Sequence, residues 1–175
     1  MARLPLVPIE AFTPELALAV QRGLGSRMLS STVPVQVWAH RPHAALAWLA
    51  LLEQLHTDGL LEERLRELVR LRIAGITTCQ ACQLARKSNT VDAADLDALN
   101  CAALDSERFT TRERTALRYA EKFATDPHEI GAADFAALAA VFSTAETVDL
   151  QMFCALMLAG GRMTLVQQAY EDKIA

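Results

Sequence analysis

The sequence predicts an all-α protein, and three observations carry that prediction. Ala, Leu, Glu and Arg are abundant while runs of β-branched residues are absent, a composition that favours helix over strand. No segment alternates polar and apolar residues with the period of two that a half-buried strand requires. Two stretches, Thr110-x-x-Glu113 and Ser143-x-x-Glu146, carry the reciprocal capping pattern that opens a helix.

The elements follow in order along the chain. Pro14 suits the first turn of a helix running toward Gly23, with Thr13 as its cap. A second helix runs from about Pro42 to His56 and stops near Gly59, with Leu46, Leu51, Leu52 and Leu55 spaced for burial. A third, from Leu61 to about Ala74, is amphipathic through Leu61, Leu65, Leu68, Val69 and Ile76, and Gly75 weakens or ends it. A short helix holding Cys79 and Cys82 follows and ends near Ser88–Asn89, and "TVDAADLDALN" reads as another short helix with an Asp-rich start. Thr110 opens the helix that carries Leu117, Ala120, Phe123 and Ala124, and Asp126-Pro127 ends it. Ala132 to Phe142 forms a further helix. The last helix, opened by Ser143, is apolar nearly all round from Val148 to Ala159, the pattern of a helix buried in a core or against another subunit. Gly160-Gly161 is placed to kink it before "RMTLVQQAYEDKIA". With no repeat, linker or low-complexity stretch, residues 1–175 read as one all-α domain.

At 175 residues and 52% hydrophobic content the chain is long enough to bury a sizeable core. Its net charge of −4 argues against a nucleic-acid partner, which selects for a basic stripe. Arg64, Arg66, Arg70 and Arg72 do cluster, but Glu62, Glu63 and Glu67 interleave with them, which reads as a solvated face laced with ion pairs. "MARLPLVPIEAF" has one Arg and two interrupting prolines, unlike a secretory signal, and the apolar run from Met152 to Gly161 is too short to span a bilayer. The expectation is a cytoplasmic protein with no membrane partner. In a reducing compartment a close cysteine pair points to catalysis or metal binding rather than to a structural disulfide.

The chemistry concentrates in "TTCQACQLARK". With Thr77 or Thr78 as cap, Cys79 and Cys82 fall in the first turn of a helix, where free N–H groups and the helix dipole favour a thiolate. Arg86 lies four residues after Cys82, one turn on along the same face, and reads either as a charge that favours the thiolate further or as a solvated surface Arg. Glu67 shares a stripe with Leu71 and Ala74 and so borders the core. It reads either as a proton acceptor near the thiols or as a surface ion-pair partner of Arg64 or Arg70. A structural zinc site would need a second Cys or His pair, which the sequence lacks, so no metal or cofactor is expected. Cys101 and Cys154 read as lone, buried or incidental thiols. His40, His43, His56 and His128 read as surface or capping residues rather than ligands.

"LEERLRELVRLRIAGITTCQACQLARKSN" resembles the core of the AhpD-like, carboxymuconolactone decarboxylase-type family, whose pattern is a Glu, eleven residues, Cys-x-x-Cys, three residues and a His. Glu67, Cys79 and Cys82 match that spacing. "HRPHAALAWLALLEQLHTDGLLEERLRE" and the stretch from Phe109 to Phe153 resemble the flanks of its peroxidase-related members, so the likeness spans about residues 35 to 170. The resemblance implies an all-α fold assembled as a trimer or hexamer. It implies that Cys82 attacks a hydroperoxide and that Cys79 resolves the sulfenic acid as a disulfide. The helix-start argument alone favours Cys79 as the attacking thiol. The reading settles on Cys82, because Arg86 and the family role both point there. The chain departs from the family where Arg86 stands in place of the His. Arg does not exchange a proton near neutral pH, so a Glu–water–His relay is broken as written, and peroxidase activity is weakened unless Arg86 holds a thiolate while Glu67 or water carries the protons.

Two function classes follow. The first is a thiol-dependent hydroperoxide reductase or disulfide oxidoreductase with an antioxidant role, its dithiol restored by a dithiol reductant protein. The second is a non-catalytic oligomeric scaffold or redox sensor on the same fold, with thiols of ordinary pKa near 8.5. The family name adds a carboxymuconolactone-type decarboxylase, for which nothing in the sequence marks a carboxylate pocket.

Overall fold

The computed structural model describes residues 2–100, 104 and 106–170; Cys101 lies outside them. Nine α-helices and two 3₁₀ turns, and no strand, are present among the described residues. They are α1 (Pro14–Gly25), α2 (Val33–Trp38), α3 (Pro42–His56), α4 (Glu63–Ile76), α5 (Gln80–Leu84), α6 (Ala93–Leu99), α7 (Thr111–Thr125), α8 (Ala132–Ala139) and α9 (Thr144–Gln167), with the 3₁₀ turns at Ile9–Ala11 and Pro127–Glu129. The chain divides into two compact units, Met1–Gly59 with Arg162–Ala175, and Leu60–Gly161.

In the first unit α1 packs on α3 around a core of Leu16, Ala19, Val20, Val35, Ala45 and Leu49. The Thr13 hydroxyl accepts from the Leu16 N–H at 3.3 Å and Pro14 occupies the first turn, as the sequence implies. Gly23 is required by packing: a Cβ there would lie 2.9 Å from the Leu29 side chain. Arg22 makes a two-pronged ion pair with Glu53 that joins the exposed faces of α1 and α3. Helix α2 has no signature in the sequence. It is a six-residue turn with no side-chain cap, formed because Val35 and Val37 are buried.

In the second unit α4 packs along α7. Leu65, Leu68, Val69 and Ile73 of α4 are buried, as are Ala116, Leu117 and Ala120 of α7, each large one contributing about 2 kcal/mol of transfer free energy. Both capping boxes form. The Thr110 hydroxyl accepts from Glu113 N–H while the Glu113 carboxylate accepts from Thr110 N–H at 2.8 Å, and Ser143 and Glu146 repeat the arrangement. Asp92 and Asp95 make a third box, opening α6.

Helix α4 runs to Ile76, one residue past Gly75, and α9 is helical through Gly160-Gly161. Helix α9 gives Leu150, Phe153, Cys154 and Leu156 to the chain's own core and leaves Val148 47% and Met152 45% exposed on its other side. The arginines of α4 are not a solvated face. Arg64 grips Asp95 of α6 and Glu113 of α7, Arg72 pairs with Glu121 of α7, and Arg70 is buried. They tie helix to helix.

Candidate active site

The junction between α4 and α5 positions the cysteines. Thr78 takes a left-handed conformation, φ 52°, at the end of α4. Its N–H donates to the Gly75 carbonyl and that of Cys79 to the Ala74 carbonyl, both at 3.1 Å. These are the two bonds of a Schellman cap, with a β-branched residue where glycine is usual. Such a residue is strained there, a feature that concentrates at functional sites. The cap turns the chain so that Cys79 immediately precedes α5 and Cys82 sits within it.

Neither threonine caps α5, contrary to expectation: the Thr77 hydroxyl donates back to the Ile73 and Ala74 carbonyls of α4. Helix α5 has only five residues and ends at Leu84, short of Ser88–Asn89, so its dipole is smaller than the sequence argument assumed.

Cys79 and Cys82 are joined as a disulfide, with Cα atoms 5.2 Å apart. Cys79 is 1% exposed and Cys82 is partly exposed, the reverse of the order the helix-start argument gives.

Glu67 and Arg70, one turn apart on α4, are both buried, 2% and 6% exposed. Arg70 Nε and Nη2 donate to the two Glu67 carboxylate oxygens, each at 2.7 Å. Its Nη1 and Nη2 also donate to the carbonyls of Cys82 and Ala85, each at 2.6 Å. The Glu67 carboxylate accepts a third hydrogen bond from the Lys87 N–H at 3.1 Å. Carbonyls at the end of a helix lack partners within it; here Arg70 supplies them, and Glu67 balances its charge. Glu67 is therefore an ion-pair partner of Arg70, but in the interior rather than on the surface. The pair fixes the whole cysteine segment from Cys82 to Lys87.

Arg86 is exposed, and its Nη1 donates to the Gln83 carbonyl at 2.5 Å. Lys87 is the residue that sequence reasoning passed over. Burial pushes its ammonium down to about 8, Arg70's charge pushes the same way, and Glu67 opposes both. Arg70 was also missed in its role, although its place beside Leu68 and Val69, three residues after Glu67, was a readable signal of an inward-facing pair. Cys154 is fully buried, and burial pushes its thiol up to about 12, leaving it protonated at neutral pH. Among the described residues no three His, Cys, Asp or Glu side chains converge as a metal site, and no helix is long and apolar enough to cross a membrane.

No family model and no curated protein matches the sequence. Solved structures do match over nearly the whole chain. An uncharacterized peroxidase-related protein from Ralstonia eutropha JMP134, described as an alkylhydroperoxidase AhpD core, is 22% identical with a TM-score of 0.74, over 99% of this chain and 94% of its own. An uncharacterized peroxidase-related protein from Silicibacter sp. TM1040 is 18% identical with a TM-score of 0.79, over 99% and 93%. The debrominase Bmp8, in complex with 2,3,4-tribromopyrrole, is 16% identical with a TM-score of 0.81, over 98% and 91%. The shared frame, the absence of strands among the described residues and the helix order together give this chain the AhpD-like, all-helical fold.

Proposed function

We propose that the protein is a thiol-dependent hydroperoxide reductase that cycles Cys79 and Cys82 between dithiol and disulfide. The observation that carries this reading is the Cys79–Cys82 disulfide on a segment held by the buried Glu67–Arg70 pair. The Cys82 thiolate attacks the terminal, hydroxyl-bearing oxygen of the hydroperoxide, the O–O bond breaks, and the alkoxide takes a proton to leave as alcohol. Cys82 is then a sulfenic acid. The Cys79 thiol attacks that sulfur, water departs, and the disulfide closes. An external dithiol attacks the more accessible Cys82 sulfur, releases Cys79 as a thiol and carries away the pair's oxidising equivalents as its own disulfide.

The side chains around the pair divide this work. Arg70 and Glu67 position the segment and its backbone. Arg86 is too exposed for its charge to act strongly on a thiolate. Lys87, beside the Glu67–Arg70 pair with its ammonium pushed down to about 8 by burial, is the nearby cation able to exchange a proton near neutral pH, which Arg86 is not.

A second reading rests on the likeness to Bmp8. The same dithiol oxidation can reduce a carbon–bromine bond, with carbon taking a hydrogen and bromide leaving. Steady-state turnover with dithiothreitol separates the two. Organic hydroperoxide is expected to be consumed, with Cys82→Ser and Cys79→Ser each at least about a hundredfold slower. Bromide release from a bromopyrrole without peroxide consumption selects the second reading, and variants that match wild type on both substrates refute both.

The exposed side of α9 supports a homo-oligomer, trimer or hexamer. Val148, Met152, Ala155 and Ala159 recur at intervals of four, three and four, a seam of the kind that packs helix against helix.

A further inference from the structure

The first unit holds a cavity of about 540 Å³ that the cysteine chemistry does not use. Its size lies within the range of small-molecule sites. Its walls are apolar and aromatic: Val37 and Trp38 of α2, Ala44 and Trp48 of α3, and Met163 of α9. The two indoles meet edge to face, centroids 6.0 Å apart at 64°, and both remain partly exposed.

Three polar features give the cavity structure. Gln167 accepts from the Trp38 indole N–H at 3.3 Å, which fixes that ring. The His40 ring nitrogen Nε2 lies 2.9 Å from the Pro5 carbonyl and holds the N-terminal segment as one wall. That segment is held again by Arg3 N–H on the Gln167 carbonyl and by Val7 N–H on the Gln36 carbonyl, so the wall is built rather than draped. The third feature is Arg41, exposed at the rim, whose guanidinium makes no ion pair among the described residues. Among the described residues no Asp or Glu lines the cavity. An open apolar cleft with two edge-to-face indoles in its wall and, at its rim, a cation that makes no ion pair among the described residues is complementary to a flat apolar body bearing a single anionic group.

We infer that this cavity is a binding site for a small aromatic or similarly flat organic anion, its ring system against Trp38 and Trp48 and its acid group on Arg41. The site is separate from the cysteine pair in the residues that form it, and the inference does not depend on the proposed reductase activity.

Trp38 and Trp48 are the chain's only tryptophans and both line this cavity, so the indole emission itself comes from its walls. The experiment titrates the full chain with anilinonaphthalene sulfonate, an aromatic anion, and with phenylnaphthylamine, its uncharged relative, following energy transfer from the indoles and the emission of the dye. One sulfonate probe is expected to bind per chain with efficient transfer. Arg41→Gln is expected to weaken the sulfonate about tenfold while leaving the uncharged probe within about twofold. Ala44→Phe, which fills the mouth from an exposed position, is expected to weaken both by at least about tenfold. Circular dichroism of the variants checks that they are folded. The inference is overturned by several probes per chain, by equal responses of the two probes to Arg41→Gln, by binding that Ala44→Phe leaves intact, or by probe release as the protein self-associates, which would put a second copy of the chain on the cavity.

Discussion

Lys87 and Arg86 are neighbours in sequence with opposite prospects. Lys87 loses hydration while Arg70 repels its charge, so its ammonium loses a proton near pH 8 instead of near 10.5. Between those two pH values the unfolded chain binds more protons than the folded one, so the folded state gains stability as pH rises through that window. Relative to Lys87→Met, the wild-type protein is therefore expected to gain about 2–3 kcal/mol between pH 8 and 10.5, measured by urea denaturation at a series of pH values. A constant difference would place the lysine in water. Arg86, exposed and resting on the Gln83 carbonyl, is expected to matter little: Arg86→Ala should change peroxide turnover by less than about threefold. Arg70 is the contrasting case. Arg70→Met leaves the Glu67 carboxylate unpaired in the interior and the Cys82 and Ala85 carbonyls without donors, a cost of about 3–5 kcal/mol. Adding Glu67→Leu is expected to recover part of that and not all, because the two carbonyls stay unsatisfied. Full recovery in thermal melts would reduce Arg70 to a counter-ion.

At the scale of elements, the meeting of α4, α6 and α7 is held by Asp95. It is 1% exposed, gripped by Arg64, with Arg108 and the Asp92 N–H as further donors, and these together hold its carboxyl well below the usual carboxylate range. A carboxylate depressed in this way stabilises the fold fully above its ordinary value near 4, and the contribution fades as pH falls below that. Asp95→Asn is expected to cost about 2–3 kcal/mol at pH 7, with the gap to wild type closing below about pH 4. Such junctions mark the line between what was legible in the sequence and what was not. The capping boxes were readable because their partners lie three residues apart. So was the Glu67–Cys79–Cys82 spacing, because α4 and α5 are consecutive. The destination of Arg64, Arg70 and Arg72 was not, because their partners belong to other elements and a charge pattern on one helix says nothing of what packs on it. The length of α5 was hidden for a similar reason. The chain turns at Thr78 in a conformation that threonine rarely adopts, so no local signal announced the break.

At the scale of the whole molecule, α9 serves two surfaces. One side supplies Leu150, Phe153 and Cys154 to the core of the second unit, and the other leaves Val148 and Met152 about half exposed. An apolar helix read from its sequence alone is a buried helix, and only the packing shows which side stays exposed. If that seam is the subunit contact, Met152→Glu places a charge in it and is expected to shift the assembly to a smaller species in analytical ultracentrifugation, with the helical circular dichroism unchanged. The central claim, that Cys79 and Cys82 are a working redox pair with Cys82 attacking, is tested most directly by a single turnover. Fully reduced protein is mixed with one equivalent of an organic hydroperoxide, and alcohol and protein products are quantified by mass spectrometry. The account predicts one alcohol and one Cys79–Cys82 disulfide per chain in the wild type, a trappable Cys82 sulfenic acid in Cys79→Ser, and unconsumed peroxide in Cys82→Ser. Peroxide left intact by the wild-type dithiol, or consumed equally well by Cys82→Ser, would contradict it.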